Sequence, residues 1–175
     1  RGLGDVYKRQ VYGIGAFSLA KDIGVSNKEA KHYIESYLAH YSGVDSYMKN
    51  VVEKANADGY VETMFGRRRN LPELTSSKHM IRAFGERVAR NMPIQGTAAD
   101  IIKIAMIKVD ERMKAENLRA RLVLQVHDEL IVEAPQDESM RVALIVQEEM
   151  ENAVKMSVPL TADAAIGRTW YDAKG

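Results

Sequence analysis

The 175 residues include no cysteine, which excludes a disulfide framework and a thiolate zinc site. Histidine is scarce too. His32, His40, His79 and His127 are scattered rather than set at metal-ligand spacing, so zinc is disfavoured. No apolar run approaches the roughly 20 residues that cross a bilayer, and no signal-peptide pattern opens the chain, so no membrane partner is expected and a cytoplasmic protein is the default. Internal repeats and low-complexity stretches are absent. A net charge of one sign is lacking as well, since the balance is only +1.

That near-neutral sum hides segregation along the chain. From Arg67 to Arg90 seven basic residues stand against Glu73 and Glu86, whereas from Asp128 to Glu151 eight acids stand against Arg141 alone. A basic tract beside an acidic one suits an enzyme that handles a polyanion, one holding phosphates and the other a cation. Two ordinary solvated faces would give the same counts. With 46% hydrophobic residues, the length suffices for one core, in one domain or a piece of a larger one.

Residues 1–10 carry no clear periodicity and do not lead into the helical pattern after them, and they are expected to be foreign. Val11 to Ala20 has the pattern of a helix end weakened by Gly13 and Gly15. Ser26-Asn27-Lys28-Glu29 is a capping box that predicts a helix to about His40, with Tyr33, Ile34, Tyr37 and Leu38 on its apolar face. Gly43 is expected to break it. The next helix uses Val44, Tyr47, Met48, Val51 and Val52, and stops at Asp58-Gly59. Tyr60–Met64 and Arg67–Leu71 predict a hairpin around Phe65-Gly66, with Arg67, Arg68 and Arg69 on the return arm. Beyond Pro72 a polar loop leads to a helix from about Ser77 to Arg90. Thr97-Ala98-Ala99-Asp100 then predicts a fresh helix start, with a core stripe of Ile102, Ala105, Met106, Val109 and Met113 running to about Glu116. Arg87, Asn91 and Gln95 recur every four residues and share a face if helical geometry survives Pro93. Their side chains are those that bond base edges and sugars, and they are equally common on any wet helix.

The most informative stretch is Gln125-Val126-His127-Asp128-Glu129-Leu130. Two apolar runs, Leu122–Val126 and Leu130–Val132, predict strands joined at His127-Asp128, a hairpin with acid at its tip. His-Asp is not a pair such turns prefer, which suggests use rather than ease. Carboxylates on a rigid turn suit Mg²⁺, which takes one or two protein carboxylates plus phosphate oxygens. A solvated acidic turn is the plainer alternative. After Pro135 a helix is expected from Asp137 to Met156, then a short strand at Leu160–Ile166 and Trp170 near the end. Helices interleaved with hairpins rather than strict strand-helix alternation predict an α+β fold with an antiparallel sheet.

Several motifs, in order from Val11 to Lys174, resemble DNA polymerase family A, the family of bacterial DNA polymerase I. They are Val11-Tyr12-Gly13 with Ala16-Phe17; Thr63-Met64-Phe65-Gly66-Arg67-Arg68-Arg69 with Leu71-Pro72; Glu86-Arg87, Asn91, Pro93 and Gln95 to Asp100; Gln125 to Glu129; and Val158-Pro159-Leu160 with Gly167, Trp170 and Ala173-Lys174. The resemblance implies a partial polymerase domain, with fingers-derived helices over 11–60 and a fingers/palm segment over 61–175. Its antiparallel palm-type sheet would carry the catalytic hairpin at 121–134.

By the same resemblance, Asp128 ligates a catalytic Mg²⁺ pair, Glu129 is an accessory acid and His127 lies near the primer terminus. Arg87, Asn91 and Gln95 contact primer-template DNA, Tyr12 sits by the nascent pair, and Arg67 and Arg68 contact the backbone. The implied reaction is nucleotidyl transfer from a deoxynucleoside triphosphate to a primer 3′-hydroxyl, by a parent that acts as a monomer. The second metal aspartate and the triphosphate-gripping residues of the fingers helix have no counterpart in this chain, so it is expected to be inactive alone. A non-catalytic DNA-binding remnant is the alternative, and a metal-dependent phosphodiester hydrolase a more distant third.

Overall fold

The computed structural model describes residues 15–174, so Tyr12 and the expected foreign segment lie outside the described residues. Two compact units divide between Thr97 and Ala98.

The unit that ends at Thr97 contains α1 (Ala16–Ile23), α2 (Asn27–His40), α3 (Ser42–Asp58), the strands β1 (Tyr60–Glu62) and β2 (Arg68–Asn70), a 3₁₀ turn at Pro72–Thr75, and the first half of α4 (His79–Ala115). The helix expected to finish at Ala20 instead begins at Ala16 and runs to Ile23, where Gly24 adopts φ 71° and closes it. The capping box at Ser26 forms as expected: the Glu29 amide donates to Ser26 Oγ at 3.2 Å, and the Ser26 amide donates to Glu29 Oε2 at 2.9 Å. The Glu29 carboxyl is held below its ordinary pKa by these bonds, the Ser26 side chain first.

Gly43 is not the breaker it was expected to be. The chain turns at Tyr41 (φ −108°, ψ 59°), and Gly43 lies in the first turn of α3. Tyr33 and Tyr47, expected on apolar faces, are exposed, and the residues that these helices bury fully are Ala30 and Ala55. One core gathers Leu19, Ala20 and Ala30; a second joins Ala55 of α3, Val61 of β1, Leu71, Leu74 and Ala89 of α4.

Pro93 does not separate two helices. His79–Ala115 is one helix of 37 residues with Pro93 inside it, and Thr97, read as a cap, is an interior residue whose hydroxyl donates to the Pro93 carbonyl. The sequence rule failed here because a capping-box pattern and a proline are local signals, while the turn is held by contacts from elsewhere in the chain.

The unit that begins at Ala98 holds the rest of α4, the hairpin β3 (Arg121–Val126) and β4 (Glu129–Glu133), α5 (Ser139–Glu151) and α6 (Trp170–Lys174). Val109 and Met113 of α4 pack with Val142 and Ile145 of α5, and Leu122, Leu130 and Val132 of the hairpin close over them. Ala105 is buried as expected, whereas Ile102 and Met106 are only half-buried. The ladder slips between Leu122 and Leu124, which leaves Val123 and Leu124 exposed side by side.

Helix α5 is shorter than expected at both ends: Asp137 and Glu138 bind Arg119 rather than joining the first turn, and Asn152 closes the far end. Leu160–Ile166 is not a strand. It has no partner strand among the described residues, and its three alanines offer little for a sheet to pack. The α+β architecture thus takes the form of helices with two separate antiparallel hairpins.

Candidate metal centre and nucleic-acid interface

The turn at His127-Asp128 forms as the sequence predicts, with Val126 paired to Glu129 across it. His127 adopts φ 56°, a left-handed conformation that costs a non-glycine residue roughly 1–2 kcal/mol. Its carbonyl is braced by the Gln125 side-chain amide at 2.6 Å. The tip is therefore fixed from below, and Asp128 is exposed at its end.

The ion pairs around it separate Asp128 from every other acid of its tract. Glu129 Oε1 lies 3.2 Å from Lys174 Nζ, and Lys174 also stands 4.9 Å from the centre of the Trp170 ring. Arg121 pairs with Glu133, Arg119 with Asp137 and Glu138, and Arg112 with both Glu148 and Glu149. Glu151 accepts the Ala162 amide. Among the described residues only Asp128, of the eight acids from 128 to 151, has neither a hydrogen bond nor an ion pair.

Glu116 belongs to the same network, and Arg141 first, then Arg112, hold its carboxyl below the usual range. Those acids are spent on structure, and Asp128 is the one left for a ligand. The second oxygen of Glu129 is buried without a partner, a cost that a bound cation or donor would relieve. Among the described residues no three His, Asp or Glu side chains gather as a metal site. The donors present fit one edge of a cation site, not a complete shell.

In the other unit, continuity of α4 through Pro93 puts Arg87, Asn91 and Gln95 on one helix at four-residue spacing, a broad common face. Arg87 and Gln95 are exposed, and Arg87 stands 5.8 Å from the centre of the Phe84 ring. Asn91 is half-buried, and its side-chain oxygen is buried without a partner. On the first hairpin, Arg68 donates to Glu62 at 3.3 Å and stacks 4.4 Å from the centre of Tyr60. Arg67 donates to the Gly96 carbonyl at 2.9 Å. Both arginines thus make internal contacts that no local pattern of residues foretells.

The model of DNA polymerase family A matches residues 9–172. The chain belongs to that family. DNA polymerase I of Bacillus caldotenax is 53% identical over 164 residues, which cover 94% of this chain and 19% of the relative; that of Bacillus subtilis is 51% identical over the same shares. Among solved structures, the POL domain of Pol1 from M. smegmatis, in complex with DNA primer-template and dNTP, superposes with a TM-score of 0.93 at 44% identity. The match covers 98% of this chain and 30% of that one.

This family A chain spans about a fifth of the length of the curated relatives it matches. Among its described residues no helix is long and apolar enough to cross a membrane. Sequence reasoning missed the roles of Lys174, Gly96 and Thr97 as neighbours of the candidate residues. For Thr97 a signal existed, since a threonine four residues after a proline in a helix can bond back to its carbonyl.

Proposed function

We propose that the chain is the C-terminal fingers/palm part of a DNA-directed DNA polymerase. In this reading 11–60 supplies fingers-derived helices, 61–175 supplies the segment with the catalytic hairpin, and 1–10 is foreign to both. The parent transfers a nucleotidyl group from a deoxynucleoside triphosphate to a primer 3′-hydroxyl and releases pyrophosphate. The observation that carries the reading is Asp128, unpaired at the end of a braced turn while its acidic neighbours are neutralised.

Asp128 would hold Mg²⁺, with the orphaned oxygen of Glu129 as an accessory acceptor. A bound cation pair supplies positive charge that activates the hydroxyl and stabilises the leaving pyrophosphate. His127, held in its turn by Gln125, would face the primer terminus. Arg87, Asn91 and Gln95 would meet the minor groove, where base patterns are degenerate and a copying enzyme reads little sequence. Arg67, Arg68 and Tyr12 complete the proposed DNA contacts, and the parent works as a monomer.

Since the described residues offer only one edge of a cation site, the isolated chain is expected to bind primer-template without extending it. The test is a chimera in which residues 11–175 replace the matching segment of the Bacillus caldotenax enzyme. It should extend a primer with Mg²⁺, and Asp128→Ala should abolish extension while leaving DNA affinity nearly unchanged. A chimera that binds primer-template but never extends it would favour a DNA-binding remnant instead.

A further inference from the structure

We propose that Thr97 and Arg67 are positioning residues for Gln95, forming a hydrogen-bonded clasp between the tip of the first hairpin and the proline turn of α4. The inference rests on the reading of Gln95 as a DNA contact.

Pro93 has no amide hydrogen and its ring crowds the carbonyl one turn earlier, so α4 lacks a backbone bond just before the turn that carries Gln95. Of the carbonyls on either side of Gln95, that of Gly96 is held directly from the hairpin tip, and that of Pro93 is held by Thr97 of α4, whose hydroxyl is in turn tied to the tip. Thr97 Oγ1 accepts the Met64 amide at 3.0 Å and donates to the Pro93 carbonyl. Arg67 Nη2 donates to the Gly96 carbonyl at 2.9 Å.

The tip is itself tied down. Thr63 is buried, and its hydroxyl oxygen accepts the amides of Phe65 at 3.3 Å and Arg67 at 3.2 Å. Its own amide donates to the Arg67 carbonyl at 3.0 Å. The approach is close enough that a Cβ on Gly96 would lie 2.7 Å from Thr63 Cγ2, which is why glycine stands there. Gln95 itself is exposed. Its backbone is therefore fixed on both sides while its carboxamide is free to meet a ligand. A carboxamide that reads a groove must be placed to within about 0.5 Å, and a proline turn without the clasp would not place it so.

The test is a double-mutant cycle on the 175-residue chain, with primer-template affinity read by fluorescence anisotropy. Thr97→Val removes the hydroxyl and keeps the shape; it should weaken binding about 3- to 10-fold, the worth of one hydrogen bond. Gln95→Ala should weaken binding to a similar degree, and the double variant no further. Thr97→Ser should restore wild-type affinity. Additive losses from Thr97→Val and Gln95→Ala would overturn the clasp while leaving Gln95 as a DNA contact. If Gln95→Ala leaves affinity unchanged, the DNA reading of Gln95 falls and the inference with it.

Arg67→Gln, an exposed change that cannot reach the Gly96 carbonyl, tests the clasp without DNA and without disturbing the core. The Gln95 carboxamide signals in the nuclear magnetic resonance spectrum of the free protein should broaden or shift. Unchanged signals would overturn the proposal.

Discussion

Both hairpins are antiparallel, and each carries charged residues at or beside its turn, yet they spend that charge differently. At the first, Arg67 and Arg68 bond to a helix carbonyl, a carboxylate and an aromatic face, and the tip is tied to α4. At the second, ion pairs consume the surrounding acids and leave the tip carboxylate of Asp128 alone. Segregated charge in a sequence therefore does not by itself mark a ligand site. The candidate is the residue left unpaired after the internal partners are counted, since its charge is the one a ligand could still use.

The sharpest way to break the comparison is at Asp128. In the chimera, Asp128→Ala should lower the primer-extension rate by about a thousandfold or more, the several kcal/mol that metal-ion charge stabilisation supplies. Because Asp128 is exposed and unpaired, urea unfolding of the same variant should shift by less than about 0.5 kcal/mol. Extension that survives the change would place Asp128 with the structural acids.

At the anchored hairpin the largest effect should be on stability. Leu71, 1% exposed beside β2, sits in the core that joins α3, β1 and α4. Leu71→Ala should cost about 2–5 kcal/mol in urea unfolding. Leu124→Ala in β3, 46% exposed, should cost less than about 1 kcal/mol. Equal losses would mean that the second hairpin is anchored as firmly as the first.

A smaller effect is expected at the clasp. Gly96→Ala gains about 1 kcal/mol of helix propensity but forces a methyl against Thr63, whose hydroxyl cannot turn away without dropping two amides. The overpacking term of about 1–3 kcal/mol should win, so the variant melts at a lower temperature than the wild type. A higher melting temperature would show that the hairpin tip yields freely.

The finest contrast is in acid. Glu116 is held below its ordinary pKa by Arg141 and Arg112, so its contribution to stability is present above the unfolded-state value and is lost as pH falls through the lowered one. Glu116→Gln should flatten the unfolding free energy over that acid window. An unchanged slope in the Gln variant would show that Arg141 and Arg112 do not hold the Glu116 carboxylate in the folded chain.

Much of the fold was legible because it rests on near neighbours in sequence. The capping box at Ser26, the turn at Gly59 and the two-residue His127-Asp128 turn formed where local chemistry placed them, and a hairpin formed about Phe65-Gly66 with strands shorter than expected, Tyr60 pairing with Asn70 and Glu62 with Arg68. The misses share a different cause. Pro93 reads as a helix end until the contacts of Thr97 and Arg67 are counted, and Leu160–Ile166 reads as a strand until a partner strand is sought. Gly43 failed as a breaker because a single glycine costs a helix only about 1 kcal/mol, which neighbouring packing can absorb.

The sequence by itself determined which side chains stand at the tip of the second hairpin, because turn geometry follows from the order of residues, whereas the fold decided that Gln95 joins Arg87 and Asn91 on one helix through Pro93. Only the tertiary structure decided which of those side chains remain available. Lys174 reaches Glu129 and Arg67 reaches Gly96 across long stretches of sequence, and no local pattern carries the distance between two residues that the fold brings together.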